Sequence, residues 1–240
     1  MEQNKPALKT LSVLLIVVAL IFSIEKKFLV RELRGESISK YESIKWVNQV
    51  ALLIDDFEGL TDTTSLKNAS FFGYGNAHIS IDSTQNDKNT IASKNCVKVQ
   101  WGGAYNYGGW GKGVGKNVEL NTAKDHFNFR VFVPKTNADT TILKLMLEED
   151  DNFNGTLDTD KDDSWFYKIP LYSTGKWEMV SIPLKDFTDN NPNAGDGILN
   201  ISRKSGLHTV IIAFENVERF TPEHKWYFDF ICFTKEKISE

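Results

Sequence analysis

Residues 126–133, HFNFRVFV, and residues 141–149, TILKLMLEE, decide the fold of this chain. In the first segment, apolar side chains occupy every second position from Phe127 to Val133, and mostly polar side chains lie between them. In the second segment, three leucines alternate with charged or flexible side chains. Successive side chains of a β-strand point to opposite faces. The pattern therefore predicts two antiparallel strands, each with one face on a core and one toward water.

Seven further segments extend this strand pattern over most of the chain. They are residues 50–57, 77–82, 95–101, 164–171, 176–183, 208–215 and 225–234. No long segment with a helical period of 3.6 residues interrupts them, so strands alternating with helices are not expected. Nine short strands predict an all-β fold, a two-sheet antiparallel β-sandwich (jelly roll) over residues 50–236, preceded by an N-terminal hydrophobic helix.

The N-terminal segment, residues 1–24, predicts export. Two lysines precede an apolar run from Leu11 to Ile24, which is typical of a secretory signal and shorter than the ~20 residues of a comfortable membrane span. Two alternatives stay open. A signal anchor would hold the protein on the membrane, facing the periplasm or the cell exterior, whereas a cleaved signal peptide would give a secreted protein. Residues 25–49 carry charges of both signs and are interpreted as a stalk or linker.

The charge balance argues against a nucleic-acid partner. The formal net charge is −4 at pH 7, and no basic cluster follows the N-terminal segment to form the face that phosphate binding needs. The two cysteines, Cys96 and Cys232, are compatible with one disulfide in an exported protein and also with two buried thiols.

An acidic segment beginning at Asp150 predicts a calcium site. Asp150, Asn152, Asn154 and Gly155 match the start of the D-x-[DN]-x-[DN]-G loop, in which alternate oxygens converge on one cation. The match fails at position twelve, which is Lys161 instead of a bidentate glutamate. The predicted ligands are Asp150, Asn152, Asn154, Asp158, Asp160 and Asp163. The alternative is a solvated acidic hairpin loop.

The glycine-rich stretch WGGAYNYGGWGKGVG, residues 101–115, carries four aromatic side chains that could stack on sugar rings. Sugar recognition needs flat apolar surfaces and a few positioned polar groups. The polar faces of segments 126–133 and 141–149, expected to be neighbouring strands, supply such groups. The predicted ligand-binding residues are Tyr105, Tyr107, Trp110, Asn128, Arg130, Lys144 and Glu148. The alternatives are a tryptophan that plugs one end of the sandwich and a cross-strand ladder of ion pairs.

The sequence favours a binding protein over an enzyme. It contains no G-x-S-x-G, H-E-x-x-H or E-x-D-x-E motif, and its four histidines show no spacing suited to a metal. Carboxylates are plentiful, but they cluster in the acidic segment, where their spacing suits a cation better than a glycosidic bond.

Several segments carry a family resemblance: LLIDDFEG (52–59), YGGWGKGV (107–114), LMLEEDDNFNG (145–155), DDSWFYKIPL (162–171), KWEMVSIPLKDF (176–187) and WYFDFICF (226–233). In this order they resemble the family 11 carbohydrate-binding modules and related galactose-binding-like jelly rolls. The resemblance implies a non-catalytic sandwich that binds a glycan on a concave sheet and contains structural Ca²⁺. It also implies a metal between the first and last strands, at Asp56, Glu58 and Asp229, with Asp55 beside them. The alternative for these residues is an ordinary hydrogen bond or salt bridge.

Two hypotheses about the function therefore follow from the sequence. The first is polysaccharide binding by an exported module, with membrane contact through the N-terminal segment. The alternative is a structural or assembly protein of the cell envelope, which would dock onto other envelope proteins through the same sandwich.

Overall fold

The computed structural model describes residues 49–86, 93–137, 140–201 and 206–238. The predicted hydrophobic helix and nearly all of the predicted stalk lie outside these ranges. Within the described ranges, the model contains no helix of the length and apolar character needed to cross a membrane.

Twelve strands and one short helix make up the described part of the chain. The strands are β1 (Val50–Asp55), β2 (Phe71–Gly75), β3 (Ala77–Asp82), β4 (Cys96–Trp101), β5 (Gly108–Lys116), β6 (His126–Phe132), β7 (Thr141–Glu149), β8 (Ser164–Leu171), β9 (Trp177–Pro183), β10 (Thr188–Asp189), β11 (Leu207–Glu215) and β12 (Lys225–Thr234). The helix α1 (Thr63–Asn68) begins with a capping box between Asp62 and Ser65. Short 3₁₀ turns cover Leu184–Asp186 and Val217–Arg219. All nine predicted strands are confirmed, while β2, β5 and β10 were not predicted.

The strands form two antiparallel sheets, which confirms the predicted sandwich. Sheet 1 has the order β3-β4-β12-β6-β9, with β1 pairing to β12. Sheet 2 has the order β10-β8-β7-β11-β5-β2. The first and last strands are therefore neighbours, and the carboxylates at the end of β1 come close to β12.

The core lies between the sheets and follows the alternation of the two fold-deciding segments. Phe127 and Phe129 of β6, together with Leu143, Leu145 and Leu147 of β7, are completely buried. Each such side chain stabilises the folded state by ~1.5–3 kcal/mol relative to exposure to water. The alternation therefore identified the core positions correctly.

Strand β5 was missed because glycine leaves no alternation to detect. Its inner face carries Trp110, which is 1% exposed and lies 5.2 Å from Phe228 between ring centroids. On its outer face, a Cβ at Gly109 would be 2.7 Å from a ring carbon of Tyr74, and a Cβ at Gly111 would be 2.7 Å from Phe72 Cζ. The glycines are therefore required by the close approach of the β2 aromatic rings.

Candidate functional site

The outer face of sheet 2 presents a continuous apolar row. The strand registers align Phe166 of β8, Met146 of β7, Ile211 of β11, Gly111 of β5 and Phe72 of β2. We call these five residues the central row. They lie on the face opposite the core leucines of β7, because side chains alternate along the strand. The row crosses five adjacent strands, and Phe72 at its end is 38% exposed.

Two rows with hydrogen-bonding groups flank the central row. One contains Lys168, Lys144, Ala213, Gly109 and Tyr74, and the other contains Ser164, Glu148, Thr209 and Gly113. Lys144 Nζ donates to Asn190 Oδ1 at 2.8 Å and lies 4.8 Å from the centroid of the Phe166 ring. An ammonium group is thus held over the ring of Phe166, at one end of the central row.

The acid–base groups of this face are partly withdrawn from water. Burial raises the pKa of Glu148, and a hydrogen bond from the Thr209 side chain opposes that rise. Burial also raises the pKa of Tyr74, and the negative charge of Glu148 adds to the effect. The face therefore offers a carboxylate, a phenol and an amine beside an apolar row, the combination that sugar rings with hydroxyl edges require.

Two of the predicted ligand-binding residues, Lys144 and Glu148, lie on this face. Trp110 does not, because its ring packs in the core, and its predicted role as an exposed stacking surface is corrected. The structure also corrects the roles of Asn128 and Arg130, which belong to β6 in sheet 1 and are 0% and 1% exposed. The sequence predicted β6 and β7 as neighbours, but the connection between them crosses from one sheet to the other.

The outer face of sheet 1 is occupied by a second apolar cluster. Its buried members are Val50, Leu53, Phe230, Cys232 and Ile238. Asn128, on the same strand face as Arg130, donates to Thr234 Oγ1 at 2.8 Å. Arg130 pairs in register with Asp229 on one side and Met179 on the other. Asn128 and Arg130 therefore belong to the packing of this cluster.

The two remaining candidates, Tyr105 and Tyr107, lie in the connection between β4 and β5. They are 60% and 52% exposed, and their ring centroids are 5.2 Å apart. Sequence reasoning missed Phe72, Tyr74, Met146, Phe166, Ile211 and Thr209. The one signal in the sequence for this face was the alternation of Phe72 and Tyr74 within FFGYG. The segment is short and interrupted by glycine, so it did not predict a strand.

The acidic segment after β7 folds back on its own backbone. Asp150 accepts hydrogen bonds from the amides of Asn154 and Gly155 at 3.1 and 2.9 Å. Asp158 Oδ2 accepts from the side-chain amides of Asn152 and Asn154, both at 2.8 Å. Many of the oxygens predicted as calcium ligands therefore already accept hydrogen bonds from groups within the loop. Of the other two predicted ligands, Asp160 is exposed and Asp163 is buried.

Three carboxylates, including that of Asp163, converge at the base of this loop. One oxygen from each of Asp151, Asp163 and Asp196 lies within 4.8 Å of the others. Asp163 Oδ2 accepts from the amides of Asp196 and Gly197 at 3.1 and 2.8 Å. Asp163 Oδ1 is buried and has no hydrogen-bond partner among the described residues. We call Asp151, Asp163 and Asp196 the aspartate cluster. Sequence reasoning identified only Asp163.

Burial and mutual repulsion disfavour negative charge at this cluster. Burial raises the pKa of Asp151 to about 6, with further increases from the charges of Asp163 and Asp196. Burial raises the pKa of the neighbouring Glu149 to about 8, although Glu149 accepts hydrogen bonds from the Asn200 amide and from Trp165 Nε1, both at 2.7 Å. A cation would relieve this repulsion, and carboxylate oxygens are the ligands that Ca²⁺ prefers.

The predicted group between the first and last strands also comes together. Asp229 is fully buried, and burial raises its pKa well above the ordinary value, with the charges of Asp56 and Glu58 adding to the rise. Glu58 Oε1 accepts from the amides of Lys94 and Asn95 at 2.6 and 3.0 Å. Asp229 Oδ2 is buried without a hydrogen-bond partner in the described part of the chain.

β-Bulges at both strands bring this group together. The register of β1 shifts between Leu53 and Asp55, and that of β12 shifts between Asp229 and Cys232. Bulges are frequent where a strand must redirect a functional side chain.

Comparisons with solved structures support the sandwich. A family 11 carbohydrate-binding module from Clostridium thermocellum, in complex with a β-1,3-1,4-mixed-linked tetrasaccharide, aligns with a TM-score of 0.50 at 18% identity over 78% of this chain and 96% of that one. The family 11 module of the cellulosomal cellulase Lic26A-Cel5E from the same organism aligns with a TM-score of 0.50 at 17% identity, over 78% and 95% of the two chains.

The fold is that of a family 11 carbohydrate-binding module. A part of an arabinose-bound α-L-arabinofuranosidase also aligns, with a TM-score of 0.51 at 10% identity over 81% of this chain but only 28% of that one. No protein-family model and no curated protein matches the sequence. The sequence resemblance to family 11 modules is thus confirmed at the level of fold.

Proposed function

We propose that the outer face of sheet 2 binds a polysaccharide chain and does not cleave it. The observation that supports this most strongly is the central row. Neighbouring strands lie ~4.8 Å apart, so a row over five strands is ~19 Å long, enough for several consecutive sugar rings. The apolar side chains would face the C–H surfaces of the rings, while Lys144, Glu148 and Tyr74 would bond the hydroxyl groups beside them.

The spacing of carboxylates on this face argues for binding without hydrolysis. The registers place Glu148 and Glu215 there, opposite Thr209 and Ile142 respectively. Thr209 and Glu215 are six residues apart on β11, which corresponds to ~20 Å along a strand. Glycoside hydrolysis by a carboxylate pair requires ~5–10 Å. The likeness to non-catalytic modules is consistent with this proposal.

The ligand class follows from the shape of the row and from the comparison. A straight apolar row suits an extended chain of β-linked sugars, which exposes flat ring faces in succession. One structural neighbour was solved with a β-1,3-1,4-mixed-linked tetrasaccharide. A β-linked glucan is therefore the first ligand to test.

We further propose that Ca²⁺ stabilises the domain at two places. The aspartate cluster would hold one ion, and Asp56, Glu58 and Asp229 would hold another. The buried oxygens Asp163 Oδ1 and Asp229 Oδ2 support this, because a buried carboxylate oxygen without a partner is costly. Bound Ca²⁺ would give each of these two oxygens a partner.

The aspartate cluster is connected to the edge of the proposed binding face. Asp163 accepts from the amide of Asp196, and the segment that precedes Asp196 returns to β8. There Asn191 Oδ1 accepts from the Ser164 amide at 2.7 Å, and Asn190 holds Lys144. A cation at the cluster would thereby help to fix Lys144 beside the central row.

Export and attachment to a membrane through residues 1–24 are proposed on the apolar run alone. The alternative function proposed from the sequence is that of a structural or assembly protein that binds other envelope proteins.

Affinity gel electrophoresis of the full-length chain tests the binding proposal. Gels would contain mixed-linkage β-glucan, xylan, hydroxyethylcellulose or no polymer, with Ca²⁺ in the buffer. We expect retardation in at least one β-linked glucan. Unchanged migration in every polymer would contradict the proposal.

A further inference from the structure

A pocket lies at one end of the sandwich, separate from the central row. Its volume is about 460 Å³, and it is enclosed by two connections, residues 102–106 after β4 and residues 217–222 after β11. Its lining includes Trp101, Tyr105, Glu218, Phe220 and Pro222. The volume falls within the range of ~300–1,000 Å³ that is usual for small-ligand sites.

Hydrogen bonds within the protein fix the walls of this pocket in advance. The buried Asn76 donates from Nδ2 to the Tyr105 carbonyl at 2.6 Å and accepts at Oδ1 from the Tyr105 amide at 2.9 Å. Its own carbonyl accepts from the Gly102 amide at 2.9 Å. Trp101 and Phe220 pack edge to face at 5.3 Å on the other side. A ligand would therefore meet a formed site and would lose little free energy in ordering it.

The side chains at this pocket have the chemistry of a sugar site. Tyr105 and the neighbouring Tyr107 place two rings in water, at 60% and 52% exposure, with an angle of 46° between them. Exposed tyrosines that are this close together present an apolar surface with polar tips. Asn106 and Glu218 supply groups that can bond hydroxyls.

The pocket also lies near the end of two strands that carry the proposed binding face. Tyr107 immediately precedes β5, and Gly109 of β5 lies in the flanking row between Ala213 and Tyr74. Val217 and Glu218 follow the end of β11 at the same edge. A chain that leaves the sheet at this end would therefore pass close to the exposed Tyr107 and Tyr105.

We propose that this pocket is a second glycan subsite, which receives a sugar unit beyond those on the central row. The proposal rests on the proposed function in one respect, that the ligand is a glycan.

NMR titration of the full-length chain with a β-1,3-1,4-linked glucan tetrasaccharide tests the subsite. We expect shifts of the Gly102, Gly103 and Ala104 amides that saturate. In Tyr105→Ala the affinity measured at these amides should fall about tenfold, which corresponds to ~1.4 kcal/mol, the upper part of the range for one aromatic contact. Tyr172→Ala removes a tyrosine that is 61% exposed on another loop, and it should leave the titration unchanged.

The outcomes separate the subsite from the proposed function. Shifts along the central row with unmoved pocket amides would overturn the subsite and leave the binding face intact. Shifts at the pocket that persist in Phe72→Ala, while those at the central row weaken, would support two subsites. Equal weakening by Tyr105→Ala and Tyr172→Ala would overturn the role of Tyr105. Absence of shifts anywhere would overturn both proposals for this ligand.

Discussion

Replacing Gly195 by alanine tests whether Asp163 forms part of a cation site. Gly195 has a φ of 63°, and a Cβ built on it would overlap both carboxylate oxygens of Asp163. Gly197 provides a matched control, because its φ is 70° and a Cβ there would meet nothing within 4 Å. Both substitutions therefore place alanine in the left-handed region, but only Gly195→Ala displaces the carboxylate.

The expected magnitudes follow from these two differences. The left-handed conformation costs a non-glycine residue ~1–2 kcal/mol, which is the whole effect expected for Gly197→Ala. Gly195→Ala would also weaken the hydrogen bonds that Asp163 accepts from Asp196 and Gly197, each worth ~1.5–3 kcal/mol because the acceptor is charged. For a domain of this size, ~1 kcal/mol lowers Tm by ~2–4 °C, so Gly195→Ala should have at least twice the effect on Tm of Gly197→Ala.

Calcium titration by calorimetry and thermal melts with Ca²⁺ or EDTA provide the assay. Saturating Ca²⁺ at about 100 times Kd should stabilise the wild-type protein by ~2.7 kcal/mol per site, because the ion binds only the native state. Gly197→Ala should keep this response, and Gly195→Ala should bind one ion fewer. Equal calcium binding by the two variants, or a wild-type melt unchanged by EDTA, would refute the reasoning.

Three further predictions concern buried groups. Trp110→Ala should lower the free energy of unfolding in urea by ~3–5 kcal/mol, and a loss below ~1 kcal/mol would contradict its core position. In EDTA, the contribution of Glu149 to stability should be complete below its ordinary pKa of 4.5 and should be lost as pH rises to about 8, because burial raises its pKa in the folded state; Glu149→Gln should remove this part of the pH dependence. Cys96 and Cys232 are free and buried, so a thiol reagent should label both in guanidinium but neither in the native protein; a disulfide would prevent labelling in both states.

The sandwich could be predicted from the sequence because large apolar side chains at every second position reveal a β-strand. Segments 126–133 and 141–149 alternate over most of their length, and the structure confirms both as strands, although β6 is buried on both faces and not on one. Strand β5 shows no such alternation, since its outer face consists of glycines. The outer surface there is supplied by Phe72 and Tyr74 of the neighbouring β2. The aromatic part of the candidate face thus became visible only when the pairing of β2 with β5 was known.

The candidate site was only partly predictable for a similar reason. Alternation assigns side chains to the two faces of a strand but does not assign the strand to a sheet. Arg130 and Lys144 therefore looked alike in the sequence, although one is packed in sheet 1 and the other lies on the outer face of sheet 2. In the acidic segment, the D-x-[DN]-x-[DN]-G spacing drew attention to Asp150. The neighbouring Asp151 joins Asp196, a residue far along the chain that no local pattern could connect.

The most direct test of the central claim uses a β-glucan that retards the protein in affinity gels. Isothermal titration calorimetry would compare its binding to the wild type, Phe166→Ala and Tyr172→Ala. Phe166 lies at one end of the central row under Lys144, whereas Tyr172 is exposed outside it. Phe166→Ala should bind the polymer about tenfold more weakly, with Tyr172→Ala equal to the wild type. Wild-type affinity in Phe166→Ala, with the fold intact by circular dichroism, would contradict polysaccharide binding on this face.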